Sequence, residues 1–219
     1  HGGYGKAVTY KRLADIFKEL EEKGAENINL VTPSHYYYAV IKALDIYKPK
    51  IPIVYNTGGY DTVSAIKALK GYIDIYLTDL KYLSPERAVA YSGAEDYPDY
   101  AASSIAEEYR QQGECVFKNG IMQRGLIIRH LLLPQGTREA MRVFDFVRQN
   151  TPNAYFSIMS QYMPCGKAKD MPVINRRVTK REYDKVLDYI CSTGFERVYI
   201  QERGSADGRF IPPFDLGGV

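Results

Sequence analysis

The chain alternates between short runs of β-branched and aromatic residues and segments whose apolar residues recur every three or four positions. The clearest strand pattern covers residues 73–82, where three apolar side chains on one face are followed, with the same period of two, by Asp79 and Lys81. Ser84 then suits the N-cap of a helix. The pattern therefore predicts Asp79 and Lys81 at the carboxyl end of a strand that feeds a helix, where open α/β sheets and βα barrels bind their ligands.

The same order of strand and helix recurs along the rest of the chain. Strands are predicted at residues 27–33, 51–57, 73–82, 125–134, 155–162 and 197–201. Helices are predicted at residues 10–20, 37–44, 61–69, 137–149 and 179–190. Thr9 is predicted to cap the first helix, Asp61 to open the third, and Thr179 with Glu182 to form a capping box. About six alternations joined by right-handed crossovers predict a parallel sheet.

A chain of 219 residues with this pattern predicts one α/β domain over residues 1–219. Residues 83–125 are predicted to be an insertion of helices and a hairpin, whose tight turn is Asn119-Gly120. Residues 204–219 are predicted to be a C-terminal extension. Because the pattern opens on a helix, we expect the fold to lack its first strand.

Charge and composition exclude several classes of function. The 29 basic and 26 acidic residues give a net charge of +3, which does not match the dense basic surface of a nucleic-acid-binding protein. No apolar run approaches the roughly 20 residues of a membrane span. Three cysteines far apart argue against a disulfide framework and suit a reducing compartment. We therefore expect a cytoplasmic protein with neither nucleic acid nor membrane as a partner.

Each predicted strand ends in polar side chains, which together predict one polar rim on the carboxyl side of the sheet. The polar rim residues are Thr32, Ser34, His35, Asn56, Thr57, Asp79, Lys81, Arg129, His130, Ser160, Gln161 and Tyr162. The rim suits a zwitterionic small molecule, with Lys81 or Arg129 on a carboxylate and Asp79 or Asn56 on an amine or hydroxyl. Since successive strand residues face opposite sides, only one of Arg129 and His130 can point toward such a ligand.

Structural roles remain open for the same residues. Asp79 and Lys81 also suit a mutual ion pair, and Gly58-Gly59 suits a simple turn, since its spacing matches neither a P-loop nor a dinucleotide fingerprint. His35 suits a helix cap. No spacing indicates a catalytic triad or a zinc site. From its residues alone, the chain is an α/β domain that binds a small polar ligand.

Five segments of the chain, in order and spacing, resemble radical S-adenosylmethionine proteins of the pyruvate formate-lyase activating enzyme-like family. The segments are Asn-Ile-Asn-Leu-Val-Thr-Pro-Ser-His35, Pro-Ile-Val-Tyr-Asn-Thr-Gly-Gly-Tyr60, Asp-Ile-Tyr-Leu-Thr-Asp-Leu-Lys-Tyr82, Ile-Ile-Arg-His-Leu-Leu-Leu-Pro134 and Ser-Gln-Tyr-Met-Pro164. The resemblance implies a partial (βα)6 barrel that resembles a TIM barrel. It also implies a [4Fe-4S] cluster that reduces S-adenosylmethionine to a 5′-deoxyadenosyl radical. In the activating enzymes, that radical takes hydrogen from a glycine of a partner glycyl-radical enzyme.

The resemblance implies cofactor-binding roles for seven residues. Lys81 would hold the methionyl carboxylate of S-adenosylmethionine, with Asp79 beside it on the same strand. Asn56 and Thr57 stand where the activating enzymes place an acid and a threonine near the methionyl amine and the ribose. Arg129 matches a basic residue of the fifth barrel strand.

The other two implied contacts lie in loops. Ser34 belongs to the Thr32 to His35 segment, which replaces a Gly-Gly-Glu segment that binds the amino group in the wider superfamily. Met163 stands just after the sixth strand, where the adenine is usually packed.

The cluster is where the chain departs from the family. Three thiolates at C-x3-C-x2-C spacing are needed, and Cys115, Cys165 and Cys191 do not supply them. In the family, that motif follows the first strand and precedes a glycine-rich stretch like residues 2–5. We therefore expect the cluster cysteines upstream of His1, and we expect this chain to be a truncated form that is inactive alone.

Two other functions stay open at this point. The first is a non-redox βα barrel that binds a small molecule. The second is a hydrolytic barrel with a metal ion at the strand ends, which is less favoured because Asp79 is the only carboxylate that the pattern places there.

Overall fold

The computed structural model describes residues 5–201 of the chain. Its helices are α1 (Tyr10–Glu22), α2 (Tyr37–Ile46), α3 (Val63–Ala68), α4 (Pro85–Ser92), α5 (Tyr97–Gln112), α6 (Thr137–Asn150) and α7 (Lys180–Ser192). Its strands are β1 (Ile28–Val31), β2 (Ile53–Thr57), β3 (Ile75–Asp79), β4 (Val116–Lys118), β5 (Ile121–Leu131), β6 (Tyr155–Met159) and β7 (Val198–Ile200). Short 3₁₀ helices cover Pro33–Tyr36 and Gly166–Asp170. The glycine-rich residues 2–4 and the predicted extension at 204–219 lie outside the described residues.

Six strands form one parallel sheet in the order β1-β2-β3-β5-β6-β7, and β4 pairs antiparallel with the start of β5. The predicted α/β class is confirmed, and the sheet is consistent with the partial barrel. The register sets Asp79 of β3 beside Arg129 of β5, and Asn56 of β2 beside Leu77 of β3. Three neighbouring strands therefore bring their polar ends to one edge of the sheet.

The helices cover the side of the sheet opposite the polar rim with a dense apolar layer. Phe156 of β6 packs against Phe144 of α6, with ring centroids 5.4 Å apart, and both rings are fully buried. Val186 of α7 and Ile105 of α5 are buried in the same core. Burying side chains of this size stabilises the fold by about 1.5–3 kcal/mol each.

Local sequence sets most helix starts, as predicted. Thr9, Ser84 and Thr179 each accept a hydrogen bond from the backbone N–H three residues on, and Glu182 completes the capping box. Asp61 is a correction, because Thr62 caps α3 instead.

The hairpin turn is confirmed, with positive φ at Asn119 and Gly120. Two strand boundaries differ from the prediction. The second hairpin strand does not stop before Gly125, since β5 runs continuously from Ile121 to Leu131. The third strand ends at Asp79, so Lys81 lies in the loop beyond it. None of the helices within residues 5–201 has both the length and the apolar character needed to cross a bilayer.

Candidate functional site

A cavity of about 470 Å³ opens at the carboxyl ends of β3, β5 and β6, and we call it the strand-end cavity. Its polar wall consists of Asp79, Lys81, Arg129 and Gln161. Its other wall is aromatic and apolar, with Tyr82, Tyr91, Tyr162, Met159 and Leu133. Charged groups on one side and flat or apolar groups on the other are typical of a site for a small amphipathic molecule.

Arg129 joins the ends of three strands. Its Nε donates to Asp79 Oδ1 at 2.8 Å, and its Nη2 donates to Asn56 Oδ1 at 2.7 Å. Both members of the Arg129–Asp79 ion pair are about three-quarters buried, with side-chain exposures of 23% and 25%. The possible ion pair between Asp79 and Lys81 is not formed, since Asp79 pairs with Arg129. Burial raises the pKa of Asp79, while the charges of Arg129 and Lys81 oppose that rise.

Lys81 keeps its charge available. Within residues 5–201 it takes part in no ion pair. A Cβ added to Gly58 would be in ordinary contact with Lys81 Nζ at 3.4 Å, so the ammonium group lies beside the Gly58 turn. Lys81 is therefore the cation of the polar wall that remains for a ligand anion.

The Gly58-Gly59 turn is fixed against the end of β3. Gly59 has a φ of +80°, and a Cβ there would lie 2.3 Å from the carbonyl oxygen of Asp79. The buried Tyr97 hydroxyl lies 2.9 Å from the carbonyl oxygens of both Gly58 and Asp79. It also accepts the backbone N–H of Lys81 at 3.0 Å. One phenol from α5 thus holds two neighbouring loops of the site together.

Four of the seven predicted residues do not line the strand-end cavity, and one of these, Asn56, adjoins it through its hydrogen bond with Arg129. Thr57 is buried on the opposite side of β2 from Asn56, and its hydroxyl donates to the Asp61 carboxylate. Ser34 Oγ lies 3.4 Å from Thr57 Oγ1, so these two residues are neighbours. Met163 is 48% exposed and does not line the cavity, where Met159 and Tyr162 stand instead. Asn56, Asp79, Lys81 and Arg129 are the predicted residues that the fold brings together.

Arg129 and His130 face opposite sides, as predicted. Arg129 lines the cavity, whereas His130 is buried under the helices. His130 Nδ1 lies 2.7 Å from the carbonyl oxygen of Leu80, so Nδ1 carries the proton. Burial lowers the pKa of His130, and the ring is neutral at pH 7.

Two buried carboxyl groups beneath the site are missing from the predicted residues. Asp61 accepts hydrogen bonds from the hydroxyls of Tyr55 and Thr57. Glu108 accepts one from Thr78 at 2.7 Å, and its other oxygen has no partner within the described residues. Burial raises the pKa of Glu108 to about 8, so it is mostly protonated at pH 7. The spacing of Glu108 from the buried Ala101 and Ile105 on α5 is the sequence signal that would have found it.

The cysteines do not form a site for an iron-sulfur cluster. Cys115 is half-buried, and its Sγ lies 3.4 Å from the carbonyl oxygen of Asn153. Cys165 and Cys191 are exposed thiols. Across residues 5–201, no group of three or more His, Cys, Asp and Glu side chains is placed to hold a metal ion. The residues present therefore do not fit a [4Fe-4S] cluster.

Comparison with known proteins gives one curated relative and a fold. No family model matches the chain. It is 31% identical over 192 residues to the uncharacterized protein MJ0674 of Methanocaldococcus jannaschii, with 86% of this chain and 53% of that protein covered. The chain thus spans about half the length of the curated relative it matches.

Among solved structures, SuiB of Streptococcus suis bound to S-adenosylmethionine matches 90% of this chain and 44% of its own, with a TM-score of 0.61 and 14% identity. A second structure of SuiB matches over the same shares with a TM-score of 0.59 and 14% identity. At this identity the likeness concerns the fold.

Proposed function

We propose that the strand-end cavity binds S-adenosylmethionine and that this chain acts within a radical S-adenosylmethionine protein. The observation that carries the proposal is the convergence of Asn56, Asp79, Lys81 and Arg129 at the carboxyl ends of three adjacent strands. The five sequence motifs support it, and so does the fold shared with a protein that binds this molecule.

The charges of the cavity suit the two ends of the ligand. Lys81 is free to pair with the methionyl carboxylate, and the Asp79 carboxylate can accept hydrogen bonds from the methionyl amine while Arg129 holds it in place. The aromatic wall offers Tyr82, Tyr91 and Met159 for the adenine. This assignment replaces Met163, which is exposed. The volume of about 470 Å³ is in the range of small-molecule sites.

The iron-sulfur cluster of the radical class would supply the electron that cleaves the bound cofactor. Residues 5–201 do not fit that group, so we propose that its thiolates lie elsewhere in a longer protein and that this chain binds and orients S-adenosylmethionine. We propose an activating-enzyme-like role for that longer protein, with a glycyl-radical enzyme or another protein as substrate.

Titration calorimetry with S-adenosylmethionine tests the proposal. We expect Lys81→Ala to weaken binding by roughly ten- to a hundredfold, because one charge-assisted contact is worth about 1.5–3 kcal/mol. Lys18→Ala is the matched control, since Lys18 is an exposed lysine of α1 that does not line the cavity. Absence of binding to the unmodified chain, or equal affinity in Lys81→Ala, contradicts the proposal. Binding without release of 5′-deoxyadenosine by the reconstituted longer protein favours the non-redox binding barrel.

A further inference from the structure

Five tyrosine rings form a continuous line of contacts from the strand-end cavity to the protein surface. Tyr91 and Tyr82 line the cavity, with ring centroids 5.9 Å apart. The ring centroids of Tyr82 and Tyr97 are 5.8 Å apart, and those of Tyr97 and Tyr60 are 5.9 Å apart. Tyr60 contacts Tyr100 at 5.1 Å. Tyr97 is 3% exposed, whereas Tyr60 and Tyr100 are 49% and 40% exposed, so this tyrosine chain runs from a cavity through the core to solvent.

The rings come from separate parts of the sequence. Tyr60 follows β2, Tyr82 follows β3, Tyr91 lies on α4, and Tyr97 and Tyr100 lie on α5. Each spacing is within the 4.5–7 Å range of direct aromatic contact. Phenylalanine would fill the same space, but only the phenol can lose an electron and a proton under mild conditions. The protein has 20 tyrosines and no tryptophan, so phenols are the aromatic groups suited to such chemistry.

Two of the phenols donate hydrogen bonds, and one of their acceptors is a carboxylate that can take the proton. The Tyr60 hydroxyl donates to the Asp96 carboxylate at 2.6 Å. The Tyr97 hydroxyl lies 2.9 Å from two carbonyl oxygens. At Tyr60 the carboxylate lets the proton shift when the ring is oxidised and return when the ring is reduced, so no phenol cation radical has to form at that ring.

We propose that the tyrosine chain carries single electrons from the surface to an organic radical held in the strand-end cavity. At the cavity, the radical R• takes a hydrogen atom from Tyr91 or Tyr82, forming an R–H bond and a phenoxyl radical. At each exchange the ring nearer the cavity regains an electron and a proton, and the next ring outward loses an electron and a proton, until the phenoxyl radical is on Tyr100. There a thiol or ascorbate, A–H, gives up a hydrogen atom. The net reaction is R• + A–H → R–H + A•.

This inference rests on the proposed function only for the source of R•, a carbon radical derived from S-adenosylmethionine. The tyrosine chain would then discharge radicals that form without a substrate in place. It protects the cavity from permanent oxidation at the cost of one reductant molecule per event.

Photo-oxidation tests the conduction without any cofactor. Illuminated ruthenium tris-bipyridine with persulfate oxidises exposed tyrosines, and the small spin trap 2-methyl-2-nitrosopropane marks the phenoxyl radicals, which peptide mass spectrometry then locates. We expect adducts on Tyr82 and Tyr91 in the unmodified protein. Tyr97→Phe should lower those adducts several-fold and leave the adducts on Tyr60 and Tyr100 unchanged.

A control variant, a dose calibration and a second variant complete the test. Tyr189→Phe, a matched substitution far from the tyrosine chain, should leave the cavity adducts unchanged. The adduct on Tyr38, which is 57% exposed, calibrates the oxidant dose. If Tyr97→Phe fails to fold, Tyr60→Phe breaks the next contact and should cause the same loss. Cavity adducts that survive in the folded variant, or that fall equally in Tyr189→Phe, overturn the inference. Because no S-adenosylmethionine is present, failure of the proposed binding function would leave this result untouched.

Discussion

At the scale of single residues, Glu108 makes stability depend on pH. Its carboxyl group is fully buried, with a pKa of about 8, whereas an exposed glutamate titrates near 4.3. Between these values the unfolded chain has released the proton that the folded chain still holds. The free energy of unfolding therefore falls as the pH rises from about 4.5 to about 8, and it levels off above that range.

We predict that Glu108→Gln removes this dependence. The amide oxygen can still accept the hydrogen bond of Thr78, but no ionisation is left to favour unfolding. At pH 8 the variant should be more stable than the unmodified protein by roughly 2–4 kcal/mol, and the difference should shrink toward zero at pH 4.5. Urea denaturation at four pH values across this range measures both.

Glu107→Gln is a control of opposite sign. Hydrogen bonds from Arg110 lower the pKa of Glu107 to about 2, so this carboxylate stabilises the fold above pH 4.5 and loses its effect as the pH falls toward 2. Because Arg110 is 57% exposed, the pair is screened and its loss should be small. A Glu108→Gln variant that is no more stable at pH 8 than at pH 4.5, relative to the unmodified protein, would mean that Glu108 is ionised in the fold.

At the scale of elements, the Thr179 hydroxyl caps the start of α7. Thr179 Oγ1 accepts a hydrogen bond from the backbone N–H of Glu182, and the Glu182 carboxylate accepts one from the backbone N–H of Thr179. We predict that Thr179→Ala lowers the free energy of unfolding by about 1 kcal/mol. Thr179→Ser keeps the hydroxyl and should retain most of the stability. Equal losses in the two variants, measured by thermal unfolding, would assign the effect to the methyl group instead.

Helix caps and turns can be predicted from the sequence where neighbouring residues alone determine them. The cap at Thr179 and the turn at Asn119-Gly120 are local chemistry, so they can be read directly from neighbouring residues. The cap of α3 is different, because Asp61 and Thr62 are both good capping residues. Contacts with residues outside the helix decide which of them caps it. The Tyr55 and Thr57 hydroxyls require a buried acceptor, which leaves the cap to Thr62.

Some residues of the site can likewise be predicted from local sequence, and others depend on the fold. Asp79 and Arg129 can be placed from strand alternation and strand ends, because parallel register brings such residues side by side. The same alternation puts Thr57 on the face opposite Asn56. The family resemblance implied that both residues lie near the cofactor, which the alternation does not allow. Met163 lies in a loop, and nothing in the local sequence fixes which way a loop side chain points. The tyrosine chain joins four segments and has no linear signature.

At the scale of the whole molecule, the front edge of the sheet exposes large apolar side chains. β1 is the edge strand, and within residues 5–201 no strand pairs with its outer side. Val31 and Tyr36 are each 69% exposed there. A groove of about 950 Å³ lies between residues 5–10 and this edge. An open strand edge with exposed apolar side chains is a template for pairing with another chain.

We therefore predict that this 219-residue chain self-associates through β1 and that Val31→Lys suppresses the association. A lysine on an edge strand disfavours pairing, because its charge would have to be buried against a second strand. Sedimentation velocity across a range of protein concentrations should show the average mass rising for the unmodified chain and staying near 24.9 kDa for the variant. Val89→Lys is the matched control, since Val89 is a 50% exposed valine on α4. A chain that stays monomeric throughout, or equal suppression by both lysines, would show that the open edge is not the contact.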